Sequence, residues 1–187
     1  MENPDTPWLR DYEGRSPKPV LQQPSPAAVF FLKFLQSKNI KAAGSTLADI
    51  GCGSGRDSVF FVRSGFEVHA IERDSSKTEG LELHGVRTHN HSVTDSWLFD
   101  DGFFDFAIDV LCYAGESDTQ GRKFYRDELK RTLKKGGYYL LCVPVSSANG
   151  AGKRMADGFA GFTPVASEES LDGETPVLSV ILQAKSI

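Results

Sequence analysis

The chain has 187 residues, of which 40% are hydrophobic and 25% charged, so it can fill an ordinary globular core and is neither wholly disordered nor collagen-like. The formal charge of -4 disfavours a general nucleic-acid binder. No apolar run approaches the ~20 residues that cross a bilayer, and the acidic, proline-bearing start is not typical of a secretory signal. We therefore expect a cytoplasmic protein that does not contact membranes.

Residues 1–24 are predicted to form an extended arm, because closely spaced prolines fix the backbone and remove hydrogen-bond donors. Trp8 and Tyr12 interrupt the polarity of this arm. They favour its docking on the body of the protein, either as a hydrophobic plug or as an aromatic lid over bound ligands. Residues 25–187 are predicted to form a single domain.

Apolar runs that end in turn signals predict strands and helices in alternation after the arm. The expected strands are 46–50, 66–71, 86–91, 104–110, 138–143 and 177–184, with 162–165 as a partner for the last one. The expected helices begin at Pro26, behind the cap Ser25, and at Asp57 and Lys123. The third helix is expected to end at Gly136 and Gly137.

This alternation predicts an α/β fold with a doubly wound, mostly parallel sheet. A turn at Asp172 and Gly173 predicts a hairpin that adds an antiparallel C-terminal edge to the sheet.

A glycine-rich loop lies at the first strand-to-helix turn, where residues 49–56 read Asp-Ile-Gly-Cys-Gly-Ser-Gly-Arg. Backbone N–H groups at such a turn can bind a ligand, and glycines let the main chain approach it closely. Asp49 would repel a pyrophosphate but attract an ammonium or sulfonium cation. Glu72 ends the second strand, 21 residues after Gly51, where it can accept hydrogen bonds from a ribose diol. The pattern predicts a site for a cationic nucleoside. The alternatives are a turn for another nucleotide-like ligand and a surface role for Glu72.

These residues resemble those of the class I, Rossmann-like S-adenosylmethionine-dependent methyltransferases, over about residues 45–145. Within that family the loop is similar to that of the small tellurite-resistance-type and other small-molecule enzymes. The resemblance implies S-adenosyl-L-methionine as the cofactor. It also implies a cofactor-binding set made of Asp49, Gly51, Cys52, Gly53, Ser54, Gly55, Glu72, Arg73, Val93, Thr94, Asp95 and Asp109. The loop would hold the methionine moiety, Glu72 the ribose, and Arg73 with residues 93–95 the adenine.

The resemblance also places Asp109 and Tyr113 after the fourth strand, facing the sulfonium and the acceptor. With Tyr12 of the arm they are the candidate catalytic residues. Methyl transfer is an in-line displacement that depends on positioning and on exclusion of water. A general base is needed only for an acceptor that arrives protonated.

The expected reaction is methyl transfer to a small-molecule acceptor. An RNA or protein methyltransferase and a non-catalytic module that binds the donor are the alternatives. A nucleic-acid partner is not expected, and a homodimer is left open.

Neither the clustered histidines nor the cysteines are predicted to bind a metal ion. His89 and His91 alternate on the third predicted strand and His84 lies close in sequence, but a metal site would normally recruit Cys or carboxylates at tighter spacings. The three cysteines lack a disulfide spacing and are expected to be buried, reduced thiols. The basic helix at 122–135 contains interleaved acids and is expected to be a solvated face.

Overall fold

The computed structural model describes residues 23–116, 118–145 and 158–185. Its strands are β1 (Thr46–Ile50), β2 (Glu67–Ile71), β3 (Arg87–His89), β4 (Phe104–Val110), β5 (Leu133–Pro144), β6 (Phe162–Asp172) and β7 (Thr175–Ala184). Its helices are α1 (Pro26–Ser37), α2 (Arg56–Arg63), α3 (Ser75–Thr78), α4 (Cys112–Gly115) and α5 (Thr119–Thr132), with a 3-10 turn at Leu81–His84. Trp8, Tyr12 and most of the predicted arm lie outside the described residues.

The described strands form one sheet in the order β3-β2-β1-β4-β5-β7-β6. Strands β1 to β5 are parallel, whereas β7 pairs antiparallel with both β5 and β6. The prediction of a doubly wound, mostly parallel α/β sheet with an antiparallel C-terminal edge is confirmed.

Two clusters of buried apolar side chains cover the two faces of the sheet. Leu47 belongs to the cluster that includes α1 and α2, while Ala48 and Ile50 belong to the cluster that includes α5. Successive strand residues point to opposite faces, so β1 is apolar on both. A strand buried in this way can place its carboxyl end, and the loop after it, at a fixed position.

Helix α1 begins as the sequence predicts. Pro26 is its first residue, and the Ser25 hydroxyl accepts a hydrogen bond from the amide of Ala28 at 3.0 Å. The amide of Ser25 in turn donates to Asp57 Oδ1 at 2.7 Å. The cap therefore ties α1 to the first turn of α2.

The hairpin predicted at Asp172 and Gly173 is confirmed, although β6 is longer than the expected partner strand. The Arg56 guanidinium donates to both carboxylate oxygens of Asp172, at 2.9 and 3.0 Å. Since Arg56 opens α2, this ion pair fastens the hairpin turn beside the glycine-rich loop.

Helix α5 and strand β5 correct the sequence prediction. The helix begins four residues before Lys123, because the Asp118 carboxylate caps it by accepting from the amide of Gly121 at 2.6 Å. Strand β5 already begins at Leu133, so the prediction that Gly136 and Gly137 end the helix was wrong.

Both glycines lie within β5, next to a register shift between β4 and β5. A Cβ on Gly137 would lie 2.7 Å from the backbone oxygen of Asp105, and Gly136 has a φ of +77°. The pair therefore permits an irregularity of the strand rather than a helix end.

Strand β3 is shorter than predicted and ends at His89, so the expectation that His89 and His91 share a strand face was wrong. His89 instead stacks on His69 of β2, with 5.2 Å between ring centroids and 3.0 Å between Nε2 and Nδ1. Within the described ranges no group of three or more His, Cys, Asp or Glu side chains is arranged to hold a metal ion.

The three cysteines carry free thiols, of which Cys142 is buried while Cys52 and Cys112 are half-buried. In the part of the chain that the structure describes, every helix falls short of the length and apolarity that crossing a membrane requires.

Candidate active site

The loops that follow β1, β2 and β4 converge at one edge of the sheet. Strand β1 lies between β2 and β4, where the chain order of the strands reverses. In open α/β sheets, ligands bind outside the carboxyl ends of the strands at such a switch point. The loop from Gly51, the side chain of Glu72 and the turn after Val110 all lie at these carboxyl ends.

The glycine-rich loop needs glycine for two different reasons. Gly51, Gly53 and Gly55 all have positive φ, at +70°, +56° and +76°. A Cβ on Gly51 would lie 2.3 Å from the Sγ of Cys112, so packing excludes a side chain there. A Cβ on Gly53, in contrast, would meet no described atom within 4 Å. The loop therefore presents an open cradle at Gly53, as close approach of a ligand to the backbone requires.

Glu72 is held rigidly beside this cradle. Its side chain is only 8% exposed, and Oε2 accepts from the amide of Gly53 at 3.1 Å. Oε1 accepts from the amide of Asp74 at 3.0 Å. Each carboxylate oxygen can accept a further hydrogen bond, so the group is preorganised for a vicinal diol.

Asp49 lies beneath the loop, near the end of β1. It is 4% exposed, and its Oδ2 accepts from the Ser58 hydroxyl at 2.5 Å. Burial raises the pKa of Asp49 to about 7, and the hydrogen bond from Ser58 partly opposes this shift. A cation placed next to Asp49 would favour the ionised carboxylate.

Asp109 is placed differently from the sequence expectation. The expectation had it facing the sulfonium and the acceptor, whereas the structure encloses it completely at the end of β4. Its carboxylate accepts from the amide of Cys112 at 2.9 Å, from the amide of Tyr113 at 3.0 Å and from the Tyr125 hydroxyl at 2.7 Å. Burial raises the pKa of Asp109 to about 7. Its contacts are those of a positioning residue that fixes the turn after β4.

That turn is strained, and it joins the two sides of the site. Leu111 has a φ of +72°, which is a left-handed conformation that a leucine rarely adopts. The next residue, Cys112, packs against Gly51 of the glycine-rich loop. Tyr113 then lies against Tyr125 and Phe159, with ring centroids 5.2 and 4.9 Å away.

The other predicted residues lie in the loop itself or in the segments after β2 and β3. Val93 uses its backbone oxygen to accept from the indole N–H of Trp97 at 3.0 Å, and the Thr94 hydroxyl bonds that of Ser92 at 2.8 Å. Asp95 and Arg73 are exposed, while Ser54 and Cys52 are half-buried in the loop. Tyr12 lies outside the described residues.

The sequence analysis did not identify several residues that lie at the site. Tyr125 and Tyr139 bond each other at 3.0 Å behind Asp109, and neither has a local motif to reveal it. The arginines of α5 were assigned to a solvated face, although the i, i+4 spacing of Arg122 and Arg126 could have indicated a shared face.

Comparisons with known proteins agree with this architecture. The family model described as a methyltransferase domain matches residues 48–141, which is half of the chain. Among curated proteins, no sequence matches this chain.

Solved structures resemble the chain at low identity. One is 1,6-didemethyltoxoflavin-N1-methyltransferase from Burkholderia thailandensis with bound 1,6-didemethyltoxoflavin and S-adenosylhomocysteine. Its TM-score is 0.71 at 20% identity, over 86% of this chain and 77% of that one. A TehB-like SAM-dependent methyltransferase from Corynebacterium glutamicum has a TM-score of 0.63 at 17% identity, over 84% of this chain and 96% of that one. A SAM-dependent methyltransferase from Aquifex aeolicus has a TM-score of 0.63 at 18% identity, over 88% and 95%.

The fold, the loop and the family match agree, and the expectation of a class I enzyme is confirmed. The cofactor is S-adenosyl-L-methionine, and the open cradle at Gly53 beside a fixed carboxylate fits it. This chain belongs to the methyltransferase family and is a class I, S-adenosylmethionine-dependent methyltransferase.

Proposed function

We propose that the enzyme methylates a small-molecule acceptor, with the donor bound between Asp49 and Glu72 at the carboxyl ends of β1 and β2. The observation that carries the donor site is the fixed Glu72 carboxylate beside the open backbone at Gly53. A relative of similar fold binds the small molecule 1,6-didemethyltoxoflavin, which supports the acceptor class. The acidic composition, which disfavours a nucleic-acid acceptor, also supports a small-molecule acceptor. We further propose that the enzyme is cytoplasmic.

Each residue of the proposed site has a limited task. When bound, S-adenosylmethionine supplies a methyl group on a sulfonium sulfur, and in the in-line displacement the electrons of the broken C–S bond return to sulfur. Glu72 binds the ribose hydroxyls, and Asp49 attracts the positively charged methionine moiety. Asp109 holds the turn that carries Cys112 and Tyr113. Tyr113 helps to exclude water from the reaction.

The enclosure of Asp109 favours acceptors that need no general base. Its carboxylate oxygens are engaged by backbone amides and by Tyr125, so we do not assign it proton abstraction. A thiolate or another anion can attack a methyl group without losing a proton first.

The acceptor class is tested with methyl-labelled donor. The enzyme is incubated with a low-molecular-weight cell extract and, separately, with the RNA and the protein of the same cells. We expect label in the low-molecular-weight fraction, and Glu72→Ala should abolish it. Label that enters RNA or protein instead, or no label in any fraction, would contradict the proposal.

Donor binding should depend on pH through Asp49. Its pKa is about 7 in the unbound protein, so a cation that favours the charged form must lower this pKa and release a proton. The affinity should therefore fall by up to about tenfold per pH unit as the pH drops below the pKa of about 7. Calorimetric titration of S-adenosylmethionine on either side of that pKa measures the effect.

The Asp49→Asn variant is the control for this linkage. It should bind the donor more weakly and with a shallower pH dependence, because Asp49 no longer titrates, although Asp109 also has a pKa of about 7. A pH dependence of the same steepness in the variant would assign the proton to another group and would remove Asp49 from the donor site.

A further inference from the structure

Two arginines of α5 surround Tyr113. The guanidinium carbon of Arg122 lies 5.3 Å from the centre of the Tyr113 ring. Arg126 follows one helical turn later and donates from Nη1 to the Tyr113 hydroxyl. Both side chains are half-buried. Two positive charges are thus concentrated on one aromatic residue directly after the carboxyl end of β4.

These arginines differ from the structural arginines of the same chain. Arg56 is bound by both oxygens of Asp172, and Arg131 by both oxygens of Glu128 together with Asp101. Arg122 donates from Nε to the backbone oxygen of Glu116, and Arg126 donates to the hydroxyl of Tyr113.

A guanidinium has five N–H donors, and the contacts among the described residues use one in each of Arg122 and Arg126. Neither forms an ion pair with a described carboxylate. As far as the described residues are concerned, donors for a further acceptor therefore remain on both.

The position of the pair relates it to the acceptor rather than to the donor. Cys112 packs on Gly51 of the donor loop, and Tyr113 is the next residue. Burial, followed by the charges of Asp109, Glu72, Asp49 and Glu116, raises the pKa of the Cys112 thiol. Asp49 and Glu72 lie at the donor end of the site, whereas the two guanidinium groups lie where the turn after β4 meets α5. The carboxylates of Glu116 and Asp118 also lie at the start of α5, but neither is within ion-pair distance of Arg122 or Arg126.

We propose that Arg122 and Arg126 bind the carboxylate of a small, anionic acceptor and hold it beside Tyr113. This inference rests on the proposed function of the site. The planar fork of a guanidinium matches a carboxylate with two parallel hydrogen bonds, and a half-buried position strengthens such a pair. A carboxylate held there leaves the rest of the acceptor free to extend toward the methyl group.

The test measures binding to the full chain saturated with S-adenosylhomocysteine. The probes are salicylate, anthranilate and 3-mercaptopropionate, each compared with its neutral amide by calorimetric titration. At least one acid should bind more tightly than its amide by about tenfold or more, because the amide cannot form the charge-assisted pair with a guanidinium. In Arg122→Gln/Arg126→Gln this preference should disappear while the affinity for S-adenosylhomocysteine is retained.

A double variant of the same helix controls for the loss of charge. Lys123→Gln/Lys130→Gln removes two exposed positive charges and should keep the preference for the acid. Equal affinity for acid and amide, acids that do not bind the loaded enzyme, or a preference that survives in the arginine variant would overturn the inference. Failure of S-adenosylhomocysteine to bind the wild type would instead overturn the proposed donor site.

Discussion

Replacing Glu72 by alanine should weaken binding of S-adenosylmethionine and S-adenosylhomocysteine by about 100-fold or more. The carboxylate is proposed to accept one hydrogen bond from each ribose hydroxyl, and a hydrogen bond to a charged group contributes about 1.5–3 kcal/mol. Two such bonds together correspond to roughly two orders of magnitude or more in the dissociation constant. Calorimetric titration of both ligands measures the loss directly.

The same carboxylate also organises its own loop, so affinity and folding must be separated. Glu72 accepts from the amides of Gly53 and Asp74, and its removal leaves these donors without that partner. The control is Glu79→Gln, which also removes one negative charge but at an exposed position. It should leave both the affinity for the donor and the melting temperature unchanged. If Glu72→Ala folds and binds the donor as tightly as the wild type, the ribose assignment is wrong.

Replacing Gly51 by alanine should reduce the free energy of unfolding by about 2–5 kcal/mol. The new Cβ would lie 2.3 Å from the Sγ of Cys112 and 2.5 Å from its Cβ, so the turn after β4 must shift. Overpacking of this kind costs about 1–3 kcal/mol, and the left-handed φ of +70° adds about 1–2 kcal/mol for a residue with a side chain. Urea unfolding followed by circular dichroism measures the sum.

Gly53→Ala is the matched comparison, because its φ is also positive but its surroundings are open. It should lose only about 1–2 kcal/mol of stability, while its methyl group fills the proposed cradle and weakens donor binding. Adding Cys112→Gly to Gly51→Ala should restore part of the stability, since the clash is removed and the backbone strain is not. Equal stability of the two single variants would contradict the packing account.

The sequence predicted well those features that depend on neighbouring residues. Strand β4 was predicted with its observed bounds, because five of its seven residues are apolar and such a run is recognisable from neighbouring residues alone. The glycine-rich loop and Glu72 were recognisable because each follows directly from a strand end and their separation is set by one helix. In the structure the amide of Gly53 donates to Glu72 at 3.1 Å, so the loop and this carboxylate are neighbours.

The sequence failed where distant residues decide the role of a side chain. Asp109 was expected to face the acceptor. In the structure its carboxylate accepts a hydrogen bond from the hydroxyl of Tyr125, which lies 16 residues later in the chain and could not be identified as a partner from the local sequence. A glycine pair such as Gly136 and Gly137 is typical of a helix end. In the structure glycine is needed at position 137 because the backbone of Asp105 lies too close for a side chain. The two histidines that do stack, His69 and His89, are brought together by the pairing of β2 with β3.

Arg122 and Arg126 illustrate the same limit at the acceptor side. In sequence they belong to a charged helix with interleaved acids, which is typical of a solvated surface. Only the position of Tyr113, at the turn after β4, turns this helix face into a candidate binding surface.

A crystal structure of the enzyme with S-adenosylhomocysteine would show where the donor binds. We expect the ligand to lie over Gly53, with both ribose hydroxyls within hydrogen-bond distance of the Glu72 carboxylate and the amino group directed toward Asp49. A nucleoside bound away from the carboxyl ends of β1 and β2, or a phosphorylated compound in that crevice instead, would contradict it.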